Sequence, residues 1–414
     1  MNSKKQWALK SGIALALAIT GVIAHAEPLQ ANVIHWWTSG GESAAIRQFA
    51  DAYNQAGGQW VDNAVAGADQ ARATAINRIV GGDPPTAAQF NTSKQFHDLI
   101  DQGLLNNVDA VATKENWAAI FPQSILDSIK ANGHYYAAPV DIHMPAWFFY
   151  SKPVFAKAGI AGDPKSFDEF LADLDKLKKA GVIPLALGGQ PWQEKITFDA
   201  VFADVGGPDL YLKVYRDRDA KAVNSDAFKK VLASYKKLHD YVDQGSPGRN
   251  WNDATALVIA GKAGVQIMGD WAKGEFSAAK QTPGKDFGCF PGFGPRSPYL
   301  VAGDVFVFPK TDNANAIKAQ NLLATIMTSP QAQVAFSAKK GSIPIRPDVD
   351  MNQLDICAKE GIAIMKDKSR QLPNPEMLLS PDMQGALTDV ITNFWNKNQS
   401  VDDAQKAFAS ALKG

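Results

Sequence analysis

Apolar and polar positions along this chain fall into short blocks that switch between a period of two and a period near 3.6. Asn32 to Trp37 reads as a strand, and Ser43 to Asn54 sets Ala44, Phe49, Ala50 and Tyr53 near helical spacing, so the chain opens as a βα unit. Gly67 to Val80 is a second helical stretch, stopped by Gly81-Gly82-Asp83-Pro84-Pro85, and Thr86 to Phe90 returns as a strand. This βαβ rhythm predicts an α/β fold with a parallel sheet, its ligands beyond the carboxyl ends of the strands. Tyr135 to Val140 and Ala146 to Tyr150 are strand-like and flank Asp141-Ile142-His143-Met144-Pro145, a stretch suited to crossing between two lobes.

Further along, Phe167, Phe170, Leu171, Leu174 and Leu177 share one face of a helix predicted from Phe167 to Ala180, with Asp and Lys opposite and Gly181 as its stop. Val182 to Leu187 is a strand that the loop Gly188-Gly189-Gln190-Pro191-Trp192-Gln193 ends. Helices are expected at 198–205, 227–244, 251–260 and 274–279, and Val265 to Met268 is a short buried strand. Leu300 to Phe308 reads as one strand returning to the first lobe, followed by helices at 314–328 and 330–338. No repeat of 20 to 50 residues is visible.

The N-terminus changes where the protein is expected to work. Lys4, Lys5 and Lys10 precede an apolar run from Ser11 to Ala24, and Ala24-His25-Ala26 presents small residues where a signal peptidase reads, so cleavage is expected after Ala26. Fourteen residues are too few for a membrane span, which needs roughly 20. Three of the 42 basic residues leave with that segment, so 39 face 42 acids in the exported chain, a balance with no basic stripe for nucleic acid. A chain of 414 residues with 46% apolar content is long enough for two or three cored units and too apolar for disorder. Cys289 and Cys357 are its only cysteines; in an oxidising compartment they could pair, or remain two separate buried thiols.

Enzyme chemistry finds little to stand on. His35, His97, His134, His143 and His239 show no metal-ligand spacing, and no G-x-S-x-G, G-x-G-x-x-G or Walker sequence occurs, so neither a metal nor a cofactor is expected. Ser337-Ala338-Lys339-Lys340 matches S-x-x-K but lacks the partner motifs of penicillin-binding enzymes. A glycosidase would need two carboxylates roughly 5 to 9.5 Å apart, and no spacing singles out such a pair.

Aromatic placement is more informative. Trp36, Trp37, Trp192, Trp251 and Trp271 lie in loops or at element ends beside glycine and polar residues. A pyranose packs its C–H face on such rings, although any single tryptophan serves equally well in a core. Glu42 is similarly double: Ser39-Gly40-Gly41-Glu42 fits a helix capping box, while a carboxylate there can accept two sugar hydroxyls. The segments 35–42 (His-Trp-Trp-Thr-Ser-Gly-Gly-Glu), 188–193 (Gly-Gly-Gln-Pro-Trp-Gln), 248–252 (Gly-Arg-Asn-Trp-Asn), 268–276 (Met-Gly-Asp-Trp-Ala-Lys-Gly-Glu-Phe) and 340–344 (Lys-Gly-Ser-Ile-Pro) occur in this order. Together they resemble the periplasmic glucose-binding branch of the extracellular solute-binding proteins that serve ABC sugar importers, over essentially the whole exported chain.

The resemblance implies a two-lobed α/β periplasmic binding protein of type II, maltose-binding-like, with its ligand in the cleft between lobes. It implies a first lobe of residues 27–140 and 300–345, a second of 141–299 and 346–414, and a monomer that delivers its sugar to permease subunits in the inner membrane. Matched motif by motif, the sugar contacts are Trp36, Trp37, Glu42, Asp304 and Lys340 from the first lobe, and Trp192, Gln193, Trp251 and Trp271 from the second. Cys289 and Cys357 also stand at positions similar to that branch. Two departures stand out: Asn91-Thr92 occupies the place of a lysine, with Lys94 displaced, and 372–377 (Leu-Pro-Asn-Pro-Glu-Met) replaces a histidine-bearing segment, which makes Asn91 and Glu376 candidate substitutes. The rival readings are a secreted glycan-processing enzyme and a binder of amino acids or peptides; the latter would want an arginine or helix terminus for a carboxylate.

Overall fold

The computed structural model describes residues 28–413, so the export signal and its cleavage after Ala26 lie outside the described residues. Among the described residues no helix is long and apolar enough to cross a membrane. In chain order the strands are β1 Leu29–His35, β2 Gly58–Ala64, β3 Ala87–Asn91, β4 Lys130–Ala131, β5 His134–Tyr135, β6 Ala137–Pro139, β7 Trp147–Ser151, β8 Ile183–Ala186, β9 Ala263–Met268, β10 Phe287–Phe290, β11 Tyr299–Val301, β12 Asp304–Val307 and β13 Gln371–Pro373.

Two sheets organise the molecule: a five-stranded one in the order β2-β1-β3-β12-β6, and a four-stranded one in the order β10-β7-β9-β8. β1 pairs in parallel with β2 and β3, as the βαβ rhythm predicts, but β12 enters antiparallel to β3 and β6, so the first sheet is mixed. β2 escapes the sequence pattern because it is a half-exposed edge strand whose apolar positions do not alternate cleanly. The strand expected from Leu300 to Phe308 is broken in two. β11 leaves to pair with β13, and β12 starts afresh at Asp304. Gly303 forces the break: a Cβ there would lie 2.4 Å from the Asp141 carbonyl oxygen, so two backbones touch where a continuous strand would carry a side chain.

Helix Gly40–Gln55 follows β1 directly, capped by Ser39, and buries Ala45, Ile46, Phe49 and Tyr53 on one face. Phe49 stacks on Phe336 at 4.5 Å between ring centroids, which fixes helix Pro330–Lys340 against it. That second helix begins with Ser329 as cap and Pro330 in its first turn, and ends at Gly341 in the left-handed region, φ 98°. Around the second sheet, helices Phe167–Lys179 and Trp251–Ile259 pack on the strands, and the C-terminal helices Pro381–Asn396 and Val401–Ala411 return to this half of the molecule. Its helical layer is an aromatic network in which Phe198, Phe202, Tyr215, Phe228 and Phe408 meet at centroid distances of 4.8–6.4 Å.

Three segments run between the halves and bond to one another. Ile142 and Ile343 exchange two backbone hydrogen bonds of 2.9 Å, and His143 and Ala302 exchange two more, of 2.8 and 3.0 Å. The segment at 141–145 therefore lies between the other two, bridged to each through its backbone.

Candidate functional site

The first wall is built where β1 ends. Trp36 and Trp37 diverge there: Trp37 turns inward, 1% exposed, against Phe306 and Phe336, whereas Trp36 stays partly exposed with the Arg72 guanidinium 5.5 Å from its ring centroid. Backbone capping accounts for the start of the following helix, since the Glu42 N–H donates to Ser39 Oγ at 3.3 Å. The carboxyl of Glu42 is nevertheless buried rather than solvated, and burial pushes its pKa up to about 7 against the pull of Lys340. The same residue thus serves the cap through its backbone and carries a buried carboxyl at its other end.

Lys340 closes the helix that packs on this wall and is 1% exposed. Its Nζ lies 3.9 Å from Asp304 Oδ2, 5.5 Å from the Trp37 ring centroid and 5.1 Å from that of Trp271, which belongs to the other half. Burial alone would discharge this ammonium, but Asp304, Glu42, Asp141 and Asp270 hold its pKa above the ordinary lysine value. Asp304, first residue of β12, is held from several sides. Its Oδ1 accepts from Gln89 Nε2 at 3.1 Å and Asn91 Nδ2 at 3.2 Å, and its N–H donates to Asp141 Oδ1 at 2.8 Å. Asn91 in turn accepts from Arg72 at 3.3 Å, so a polar relay runs from the partly exposed arginine to the buried acid.

The second wall is aromatic and amide. Trp271 and Trp192 lie 6.3 Å apart, and the indole of Trp192 donates to Gln190 Oε1 at 3.1 Å. Gln193 is fully buried and donates to the same oxygen at 2.7 Å and to the Arg249 carbonyl at 3.2 Å. The segments around 190 and 249 thus form one surface, stitched by Gly189 N–H to Arg249 O at 3.1 Å and Gln190 Nε2 to Asn250 Oδ1 at 3.0 Å. Here the expected loop needs correcting: helix Pro191–Val201 starts at Pro191, so Trp192 and Gln193 sit in its first turn. Proline at the first helical position was the available signal. Trp251, partly buried, opens helix Trp251–Ile259 as expected, and its carbonyl accepts from Gln266 Nε2 at 3.0 Å.

Between the walls, Asp304 joins a cluster whose other members, Asp141, His143 and Asp270, the sequence did not place in the site. His143 Nδ1 lies 3.3 Å from Asp304 Oδ2 and 3.5 Å from Asp141 Oδ1, with its ring edge-on to Trp271 at 5.2 Å. Burial works against its charge, yet the two carboxylates raise the imidazole to about 10. Asp270 receives the Met144 N–H at 3.0 Å, and burial pushes its carboxyl up to about 7. A trio such as Asp141, His143 and Asp304, with ligating atoms within 4.8 Å of one another, has the donor chemistry for a divalent cation. Lys340 beside the same Asp304 oxygen opposes one, and the imidazolium already balances the carboxylates. The readable signal was an Asp-x-His in a crossing segment flanked by strands. Glu376 is half-buried, and burial raises its carboxyl pKa while Arg72, His143 and Lys195 pull the other way.

The walls meet at their glycines. A Cβ on Gly41 would lie 2.5 Å from the Gly274 carbonyl carbon, and the Gly41 N–H donates to Glu275 Oε1 at 2.8 Å, joining the N-terminus of one half's helix to a carboxylate of the other. Behind the second wall, Cys289 and Cys357 form a disulfide with Cα atoms 6.2 Å apart, tying β10 to helix Ile356–Met365. Asp355, at that helix's cap, pairs with Lys273 at 2.9 Å, two residues from Trp271. Ser337, the serine of the S-x-x-K match, is buried, and its hydroxyl has no hydrogen-bond partner among the described residues.

Residues 37–334 match the family described as bacterial extracellular solute-binding protein. A protein of Mesorhizobium japonicum named "Probable sugar-binding periplasmic protein" is 42% identical, across 86% of this chain and 85% of its own. One of the same name from Brucella suis is 38% identical across 97% of both. Among solved structures, the bacterial solute receptor AcbH, described as having an exclusive preference for β-D-galactopyranose, superposes with a TM-score of 0.78 at 22% identity, covering 93% of this chain and 98% of the receptor. That likeness carries the fold, a two-lobed type II binding-protein architecture.

Proposed function

The chain belongs to the bacterial extracellular solute-binding protein family, a binding protein and not an enzyme, and on that premise we propose that it is the sugar-binding component of an ABC importer, working in the periplasm after export. The ligand is a monosaccharide, with glucose the first to test, enclosed between a first lobe of residues 27–140 and 300–345 and a second of 141–299 and 346–414. The observation that carries this reading is the meeting of unlike walls around Lys340: Glu42 and Asp304 from one half, Trp271 from the other, with the ammonium 5.1 Å from that ring.

Buried carboxylates and an ammonium supply acceptors and donors for hydroxyls, and tryptophan faces suit the C–H side of a pyranose. The sugar contacts are Trp36, Trp37, Glu42, Asp304 and Lys340, with Trp192, Gln193, Trp251 and Trp271 opposite. Asn91 and Glu376 stand in for the lysine and histidine of similar proteins: Asn91 is bonded to Asp304, and Glu376 lies in the field of Arg72 and His143. The sugar favours the closed arrangement because only there do both walls reach it, and the closed, loaded monomer docks on the permease. A glycan-processing enzyme would cleave what it binds.

Titration calorimetry of residues 27–414 against a panel of monosaccharides, disaccharides and sugar acids, with each sugar assayed afterwards, tests the proposal. One saturable site with intact sugar supports it; consumption of the sugar or silence across the panel defeats it. Trp36→Ala and Glu42→Ala should each weaken binding by roughly 1–3 kcal/mol, and unchanged affinity in both would remove these residues from the site.

A further inference from the structure

The hinge and the sugar site share one side chain. His143 sits on the middle crossing strand, its backbone locked to Ala302 by two hydrogen bonds, and its ring reaches three places at once. Asp141 lies on its own strand, Asp304 begins β12 of the first sheet, and Trp271 follows β9 of the second. Asp141 is wholly buried, and Asp304 and His143 are 2% and 4% exposed, so no solvent screens them. Two buried carboxylates this close are stable together only with positive charge between them, and Lys340 alone supplies one for two. Other charged groups facing the ring are Asp270, from the second half, and Glu376, beyond β13.

We propose that His143, as an imidazolium held between Asp141 and Asp304 and edge-on to Trp271, is the positioning residue that couples hinge to sugar site, setting the acid of one wall in register with the ring of the other when the lobes close. This rests on the sugar-receptor reading above. The ring need not touch sugar, because it acts through Asp304 and Trp271. Its loss should therefore be felt as a less populated closed state, and most of the effect should appear in the dissociation rate.

The experiment uses the exported chain, residues 27–414, and the sugar identified by titration. His143→Gln, which keeps a polar side chain of similar reach without charge, should raise Kd by about tenfold or more, within the roughly 5- to 150-fold span of site coupling. Dissociation should quicken while association barely changes. In an Asp141→Asn background the same substitution should cost much less, because the charge it balanced is already gone; an equal cost in both backgrounds would mark a packing role and overturn the proposal. Because the glutamine variant could fold poorly, the nitrogen spectrum of the wild-type ring provides a second reading, in which both ring nitrogens should be protonated at pH 8. A neutral ring, or zinc bound stoichiometrically by wild type and lost in His143→Gln, would overturn it. A wild type that binds no sugar would sink the receptor reading, while the ring spectrum would still decide the state of His143.

Discussion

The two halves of this molecule meet with different chemistry. The first offers charge: Glu42, Asp304 and Lys340 are all buried and hold one another at the ends of β1, β12 and helix Pro330–Lys340. The second offers rings and amides: Trp192, Trp271, Gln190 and Gln193, backed by an aromatic core, a disulfide and the buried Lys195–Asp199 pair. Charge without water is costly unless each group has a partner, so the first wall holds together only as a network that includes His143, whereas the second can be assembled from groups that bond locally. On the proposed reading, the first wall selects the hydroxyl pattern and the second stacks the sugar ring.

Breaking the first wall should produce the largest effect. Asp304→Asn leaves Lys340 and His143 without their shared partner, and loss of one member of a buried ion pair costs roughly 3–5 kcal/mol; chemical denaturation should show that loss even without sugar. Breaking the staple of the second wall comes next. Replacing Cys289 and Cys357 by serine opens a loop with 68 residues of separation, for which chain entropy gives about 4 kcal/mol as an upper figure. The second half should then melt before the first, visible as two calorimetric transitions.

A pH series sharpens the comparison further. Glu42 and Asp270 titrate near 7 in the fold, above 4.5 and 3.8, and His143 near 10, above 6.5. A raised folded-state pKa gives stability that is complete below the unfolded value and lost as pH climbs through the folded one. The sugar-free protein should accordingly lose thermal stability between about pH 4 and 7, through the two acids, and again between about 6.5 and 10, through the histidine. Hydroxyls donated by a sugar favour an ionised Glu42, so binding near pH 6.5 should release protons, measurable as a buffer-dependent binding enthalpy. Flat enthalpies across buffers would mean that the Glu42 carboxyl does not receive the ligand. The smallest effect is expected where the walls touch: Glu275→Gln weakens a charged bond to the Gly41 N–H and should weaken binding by about 0.5–1.5 kcal/mol, with the proposed sugar contacts untouched.

Local pattern carried much of this architecture. Helix Phe167–Lys179 is legible in its apolar stripe and in Ser166 as cap, and the polar crossing at 141–145 in its flanking strands. What stayed hidden depends on contacts distant in sequence. Nothing near Leu300 announces that Gly303 must press against Asp141, and nothing near Gly58 shows that an exposed segment will pair with β1. Glu42 was readable only as two alternatives, because the cap is local whereas the ammonium that acts on its buried carboxyl, Lys340, is almost 300 residues away. His143 was visible only as a histidine in a crossing until the fold brought Asp304 and Trp271 to it.

The most direct test of the account is the structure of the exported chain crystallised with the sugar that titration identifies. It should show one sugar between the lobes, its hydroxyls on Glu42, Asp304 and Lys340 and a ring face on Trp271. A sugar bound elsewhere, or a cleft closed identically with none inside, would contradict it.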